Sequence, residues 1–193
     1  MATTDKIEIV SNASVLLGAN QIQSFDEETT EGLAARTFYK MVYESVLKHR
    51  NWTFAKRKLK LSILDKTPEF GYKHVYRLDV DVLKVISLQN KPSDYLLMSK
   101  REIHTDIPNA FIVGLIKPDE AILPEDFKLA FVHLLAAAMC TTITDDSSMK
   151  ERFRNEGANL LKQAGTNDAV QSGDLSYSTD SELVDVFGYG GNF

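Results

Sequence analysis

Few side chains in this sequence stand where they could do chemistry together. Its four histidines, His49, His74, His104 and His133, lie far apart in the chain, and none has a carboxylate or a second histidine at metal-ligand spacing. Cys140 is the single cysteine, so neither an intrachain disulfide nor a cysteine metal cluster can form, and a small buried apolar role suits it. No serine sits in a G-x-S-x-G turn. The glycines at 188, 190 and 191 have no strand before them and no helix after them, so they read as chain flexibility rather than a phosphate loop. The pairs Asp145-Asp146 and Asp79-x-Asp81 read as a helix cap and a turn. The pattern points away from an enzyme and calls for no cofactor or metal.

The one charged constellation is basic. Lys48, Arg50, Lys56, Arg57, Lys58 and Lys60 follow one another with no acidic residue between Glu44 and Asp65. In a strand, alternation places Lys56, Lys58 and Lys60 on one face, where they could follow phosphates. The same lysines also suit a solvated sheet face whose edge resists aggregation. The rest of the charge is segregated. From 166 to 193 there are five acidic residues and no Lys or Arg; without them the remaining 22 acidic residues match the 22 basic ones. The formal charge of −5 thus belongs to the C-terminal segment, and the neutral body argues against a general nucleic-acid binder.

These residues must be carried by a mixed chain. Residues 5–17 read as a helix with Ile7, Val10, Ser14 and Leu17 on one face, Asp5 and Glu8 as a capping box, and Gly18 at C′. A second helix is expected from an Asp26 N-cap to about Lys48, with Ala34, Phe38, Met41, Val42 and Ser45 as its apolar stripe. The only tryptophan, Trp52, then leads into strand-like sequence. Leu59, Leu61 and Ile63 alternate with polar residues, and 74–78, 82–88 and 111–116 are rich in β-branched and aromatic residues. Turn chemistry at 67–71, 90–94 and 107–109 divides them, giving one small antiparallel sheet of four to six strands. Pro124 opens a third helix that is apolar almost all round, as expected at the centre of a bundle or between subunits. Ser148 and Glu151 cap a fourth, striped by Met149, Phe153, Leu160 and Ala164.

The last segment, 172–193, mixes Ser, Gly and Asp with Tyr177, Leu183, Val186, Phe187, Tyr189 and Phe193. These are hydrophobic anchors too sparse to fold alone, on a segment that could extend roughly 70 Å. The expected fold is therefore α+β, mainly α: a four-helix bundle body with an inserted small antiparallel β-sheet and an extended C-terminal arm. Its divisions are 1–52 for helices 1 and 2, 53–118 for the β-sheet insertion, 119–171 for helices 3 and 4, and 172–193 for the arm. The N-terminus has neither a basic n-region nor an apolar h-region, so no secretory signal is expected. The longest apolar run, 129–140, is too short to span a bilayer.

Several motifs resemble one family when taken in order. Leu16-Leu17-Gly18-Ala19-x-x-Ile22-x-Ser24-Phe25, the helix ending Arg50-x-Trp52-x-Phe54-Ala55, and Phe70-Gly71-Tyr72 followed by Val75-Tyr76-Arg77-Leu78 are three of them. Asp81-x-Leu83-Lys84-Val85, Thr105-Asp106-Ile107-Pro108 and Leu123-Pro124-x-x-Phe127 complete the set. Over residues 5–170 the chain resembles the tail tubular protein A family, the head–tail adaptors or gatekeepers of short-tailed bacteriophages. Asp79-Val80 departs from it, standing where the family usually has a proline turn.

The resemblance implies a structural virion protein at the head–tail junction, assembled in the host cytoplasm, with no catalytic residues. Twelve copies would form a ring between the portal protein and a tail nozzle of the tail tubular protein B type. Double-stranded DNA would pass through it without sequence specificity. The arm anchors Tyr177, Leu183, Val186, Phe187, Tyr189 and Phe193 would bind the portal, and Lys56, Lys58 and Lys60 would face the DNA channel or the nozzle. The alternatives are a neck or head-completion protein of a longer-tailed phage and a small DNA-binding protein. None of these readings involves a membrane.

Overall fold

The computed structural model describes residues 2–69, 71–89, 95–99 and 101–172. Four helices, α1 (Ala2–Leu16), α2 (Thr30–His49), α3 (Glu125–Ile143) and α4 (Ser147–Ser172), accompany seven strands. The strands are β1 (Lys56–Lys60), β2 (Ser62–Ile63), β3 (His74–Arg77), β4 (Val82–Leu88), β5 (Leu96–Met98), β6 (Glu102–Thr105) and β7 (Phe111–Ile116). The chain divides into two compact units, one of Met1–Val46 with the residues from 119 on, the other of Leu47–Pro118.

In the helical unit α3 is the central element. Phe127, Ala130, Phe131, Leu134, Leu135, Ala136 and Met139 are all buried, as is Cys140. A helix this apolar must be covered on several sides, and full burial of each large side chain is worth about 1.5–3 kcal/mol. Helices α1 and α4 pack directly on it. The approach of α4 depends on Gly157: a Cβ there would lie 2.8 Å from Leu134 Cγ and 3.1 Å from the Leu134 backbone nitrogen. Helix α2 reaches α3 through aromatic rings instead. Tyr39 and Tyr43 stand 5.4 and 5.2 Å from Phe131, and Phe25 closes on Tyr39 edge-on at 5.4 Å. Two bulky rings therefore fill the space where small residues would have let the helices touch.

One buried charge ties this unit together. Glu120, 2% exposed in a short 3-10 turn (Glu120–Ile122), accepts a hydrogen bond from the Tyr39 hydroxyl at 3.1 Å. Lys6 of α1 lies 3.9 Å from the same oxygen. Burial, reinforced by the Glu120 charge, pushes the Tyr39 phenol well above its ordinary value, and burial does the same to Tyr43.

The strand unit forms two sheets, not one. The first is ordered β1-β7-β4 and the second β2-β3-β6-β5, every pairing antiparallel. A shared core of Leu61, Tyr76, Leu78, Val82, Leu88, Ile103, Ala110 and Ile112 lies among them. The expected four-helix bundle with one inserted sheet is thus replaced by four helices and two small antiparallel sheets. The physical reason lies at Leu61, where the chain leaves β1 and enters β2 with a single residue between. Leu61 turns into the core while Ile63, expected to share its face, is 63% exposed. After β3, residues 78–81 carry the chain back to the first sheet, with Leu78 N–H held by Arg101 O at 2.8 Å. Asn109 takes φ +50° between β6 and β7, a conformation that Asn tolerates.

The helix ends also differ from expectation. Gly18 does end α1 as a Schellman motif, at φ +72° with Ala19 N–H bound to Ser14 O and Gly18 N–H to Val15 O. Asp5, however, lies inside the first helix, which starts three residues earlier. Thr29, not Asp26, caps α2 by accepting from Gly32 N–H at 3.1 Å, because Glu27 already holds the 23–24 backbone in a turn. Asp146, not Ser148, caps α4, accepting from Ser148 and Met149 N–H. Along α2 Ala34 and Val42 are buried as expected, but so are Ala35, Tyr39, Tyr43, Val46 and Leu47, and Met41 is 56% exposed.

Two tests follow from this packing. Gly157→Ala gains about 1 kcal/mol of helix propensity, yet the Leu134 backbone cannot move aside, so a net loss of about 1–3 kcal/mol is expected in chemical denaturation. Because the folded Tyr39 and Tyr43 values lie above the unfolded value of 10.0, stability is complete below that pH and declines above it. Tyrosinate absorbance should therefore show these two phenols ionising only together with unfolding.

Candidate functional site

The sequence-predicted basic residues fall on the first sheet. Strand β1 is an edge strand, paired with β7 so that Lys56 opposes Leu115, Lys58 opposes Val113 and Lys60 opposes Phe111. Leu59 packs against the core shared by the two sheets. By alternation Lys56, Lys58 and Lys60 lie on the other face. Lys58 and Lys60 are exposed, Lys56 half-buried. The Lys58 ammonium sits 3.9 Å above the centre of the Phe111 ring, which holds it flat along the sheet.

Register adds a residue that spacing alone missed. Through β7, Lys84 of β4 is opposite Leu115, and so joins the row that begins at Lys56. The match needs the irregularity between Val82 and Lys84 on β4. Beside it Gly114 keeps the β7 backbone close: a Cβ there would lie 3.1 Å from Lys84 O. That face of the sheet thus carries Lys56, Lys58, Lys60 and Lys84, with a fully buried Leu115 between Lys56 and Lys84, and none of its three strands contains an Asp or Glu. Arg57 belongs to the opposite face, where its guanidinium donates to Phe54 O and Lys56 O at the strand's entry. Lysines on extended backbone can follow an anionic surface, but as mobile point charges they read no base sequence.

The portal-binding residues Tyr177, Leu183, Val186, Phe187, Tyr189 and Phe193 lie outside the described residues, as do the glycines at 188–191.

The remaining polar groups are structural in placement. His133 donates from Nδ1 to Leu129 O at 2.9 Å, with Glu156 3.9 Å from its other nitrogen. His104 is fully buried on β6, where its Nδ1 accepts from Glu69 N–H at 3.3 Å and Tyr72 packs edge-on against the ring. Its Nε2 lies 3.6 Å from Glu102, too long for a hydrogen bond. Lys66 donates to that same Glu102 carboxylate at 2.8 Å. Lys66, Glu69 and Lys73 are therefore tied to the second sheet, the last donating its N–H to Asp106. Among the described residues no three His, Cys, Asp or Glu side chains are grouped to hold a metal ion.

The Lys66–Glu102 bond gives a pH test. The hydrogen bond from Lys66 holds the Glu102 carboxyl below its ordinary value of 4.5. Its contribution to stability is whole above that pH and is lost as pH falls through the lower folded value. Glu102→Gln should lower the urea midpoint near neutrality and converge with the unmutated chain in acid, so that the acid limb of the profile flattens. Comparison with protein-family models finds no match for this chain, and comparison with curated proteins finds none either.

Proposed function

We propose that this protein is a structural head–tail adaptor, resembling the tail tubular protein A family, in which copies form a ring between the portal and the tail nozzle. The observation that carries this reading is the acid-free lysine face of the first sheet. A channel that passes duplex DNA of any sequence calls for diffuse positive charge that attracts phosphate without gripping a base. Four lysines spread over three strands meet that need, whereas a sequence reader would place a helix or ribbon in the major groove. Lys56, Lys58, Lys60 and Lys84 face the channel or the nozzle. The 172–193 segment, with its aromatic and aliphatic anchors among acidic residues, supplies the grip on the portal. The role of the protein is to assemble and to seal; no bond is made or broken.

Native mass spectrometry of the full chain mixed with its portal is the test. The expected result is a portal complex carrying many copies of the chain, lost when Tyr189 and Phe193 are both changed to Ser. Duplex DNA should bind weakly, with an affinity that falls steeply with salt. K58E/K60E/K84E should weaken that binding for every sequence alike and flatten its salt dependence. Failure of the wild-type chain to join the portal would overturn the adaptor reading.

A further inference from the structure

Strand β1 is an open edge of the first sheet, and the parity of its ladder shows which backbone groups are free. Leu61 N–H donates to Ala110 O at 3.0 Å, so these two residues are a hydrogen-bonded pair of the antiparallel ladder. Counting back by twos, Leu59 with Ile112 and Arg57 with Gly114 are bonded likewise. Lys58 and Lys60 have the opposite parity, and their N–H and C=O groups point out of the sheet edge. Phe111 agrees with this parity, since its carbonyl accepts from Gln89 N–H on the β4 side. Lys56 is closed to a further strand: its N–H is held by Trp52 O and its carbonyl by the Arg57 guanidinium.

The charge on this edge is not cancelled. Lys58 and Lys60 are exposed, and neither has a carboxylate partner among the described residues. Lys58 rests on the Phe111 ring, which leaves its charge intact. Edge lysines deter a neutral or basic strand. For an acidic strand the same lysines are an attraction.

The chain itself supplies such a strand. It continues past Ser172, the end of α4, to Phe193, outside the described residues. Residues 173–193 hold Asp174, Asp180, Glu182 and Asp185 and no Lys or Arg. Within them Glu182-Leu183-Val184-Asp185-Val186-Phe187 is the one run of six without Gly, Pro or Ser, and it is rich in β-branched and aromatic residues. In an extended strand Val184 and Val186 share one side and Asp185 takes the other. Strand β1 alternates to match, with Leu59 on one side and Lys58 and Lys60 on the other. Eleven residues lead from Ser172 to Leu183, a tether of up to roughly 36 Å. It holds the run near its own body at an effective concentration far above that of a second copy in dilute solution.

We propose that in the free molecule the run 182–187 adds to the open edge of its own β1 as a further strand, with Asp185 beside Lys58 and Lys60 and with Val184 and Val186 beside Leu59. Main-chain hydrogen bonds to Lys58 and Lys60 give the hold, and the charge selects the edge. The docked run covers the lysines, and it cannot serve the portal at the same time. Portal binding strips it away, so the grip on the portal and the charge offered to DNA become available together. The inference deepens the adaptor reading and rests on it for this release step.

The test is amide hydrogen exchange at single-residue resolution, on the full-length chain and on its double variant Val184→Pro/Val186→Pro. The variant keeps every charge and removes the donors and backbone freedom that a strand needs. The Lys58 and Lys60 amides should exchange at least about tenfold more slowly in the unmutated chain than in the variant. The Arg57 and Leu59 amides, bonded to β7, should be slow in both, which establishes that the sheet is intact. Adding the portal should quicken Lys58 and Lys60 to the rate of the variant. The free variant should also bind duplex DNA at least about threefold more tightly than the unmutated chain, and equal binding would overturn the covering of the lysines. Fast exchange at both lysines in a chain that joins the portal overturns the inference and leaves the adaptor reading standing. Slow exchange in a chain indifferent to the portal keeps the docked strand and overturns the adaptor reading. Slow exchange that survives the two prolines, or that vanishes on dilution, assigns the edge to another segment or to a second copy and overturns the proposal.

Discussion

Helix α3 has no side that water can cover cheaply, and most of the helical unit answers to that constraint. Each neighbour meets it by a different device. Helix α4 comes close because Gly157 has no side chain at the crossing. Helix α2 stays at ring distance because Tyr39 and Tyr43 stack on Phe131. Their hydroxyls then need an acceptor, and for Tyr39 the acceptor is Glu120. That carboxylate is buried and is held by α1 through Lys6 as well. A buried charge with partners from two helices fixes which arrangement of those helices is allowed, even where it adds little net stability.

The strand unit solves a different problem. The chain folds its seven short strands into two sheets that share an apolar core. That choice leaves two outward faces with separate fates. On the second sheet Lys66, Glu69 and Tyr72 lie against Glu102 and His104, and His104 is fully buried. On the first sheet Lys58, Lys60 and Lys84 remain exposed, and the charge they present supports the proposed role at a DNA passage.

The sequence was informative wherever the deciding contacts are local. The ends of β4 and β7, the Schellman glycine, the Pro124 start of α3 and the buried character of that helix all follow from residues within a turn or two of one another. The stripe of α2 was displaced because Tyr39 and Tyr43 carry hydroxyls and Met41 does not, yet in the fold the tyrosines are inside and the methionine outside. Nothing near residue 39 announces that Glu120, 81 positions away, will accept the hydrogen bond of its hydroxyl. The division into two sheets and the place of Lys84 in the basic face depend on pairing register, which no single strand contains. For the caps, several Asp, Ser and Thr residues competed within a few positions, and side-chain hydrogen bonds elsewhere decided among them.

The strand unit begins and finishes on neighbouring strands, because Lys56 near its start is paired with Leu115 near its end. Partners in such a ladder stand only about 5 Å apart. The 58 residues between them therefore cost the remainder of the polypeptide scarcely more closure entropy than a tight bend would. An excursion tethered at so narrow a neck can lengthen, shorten or be exchanged while its host retains its connectivity. The lysine-bearing face and the helical body are in this sense free to diverge at separate rates.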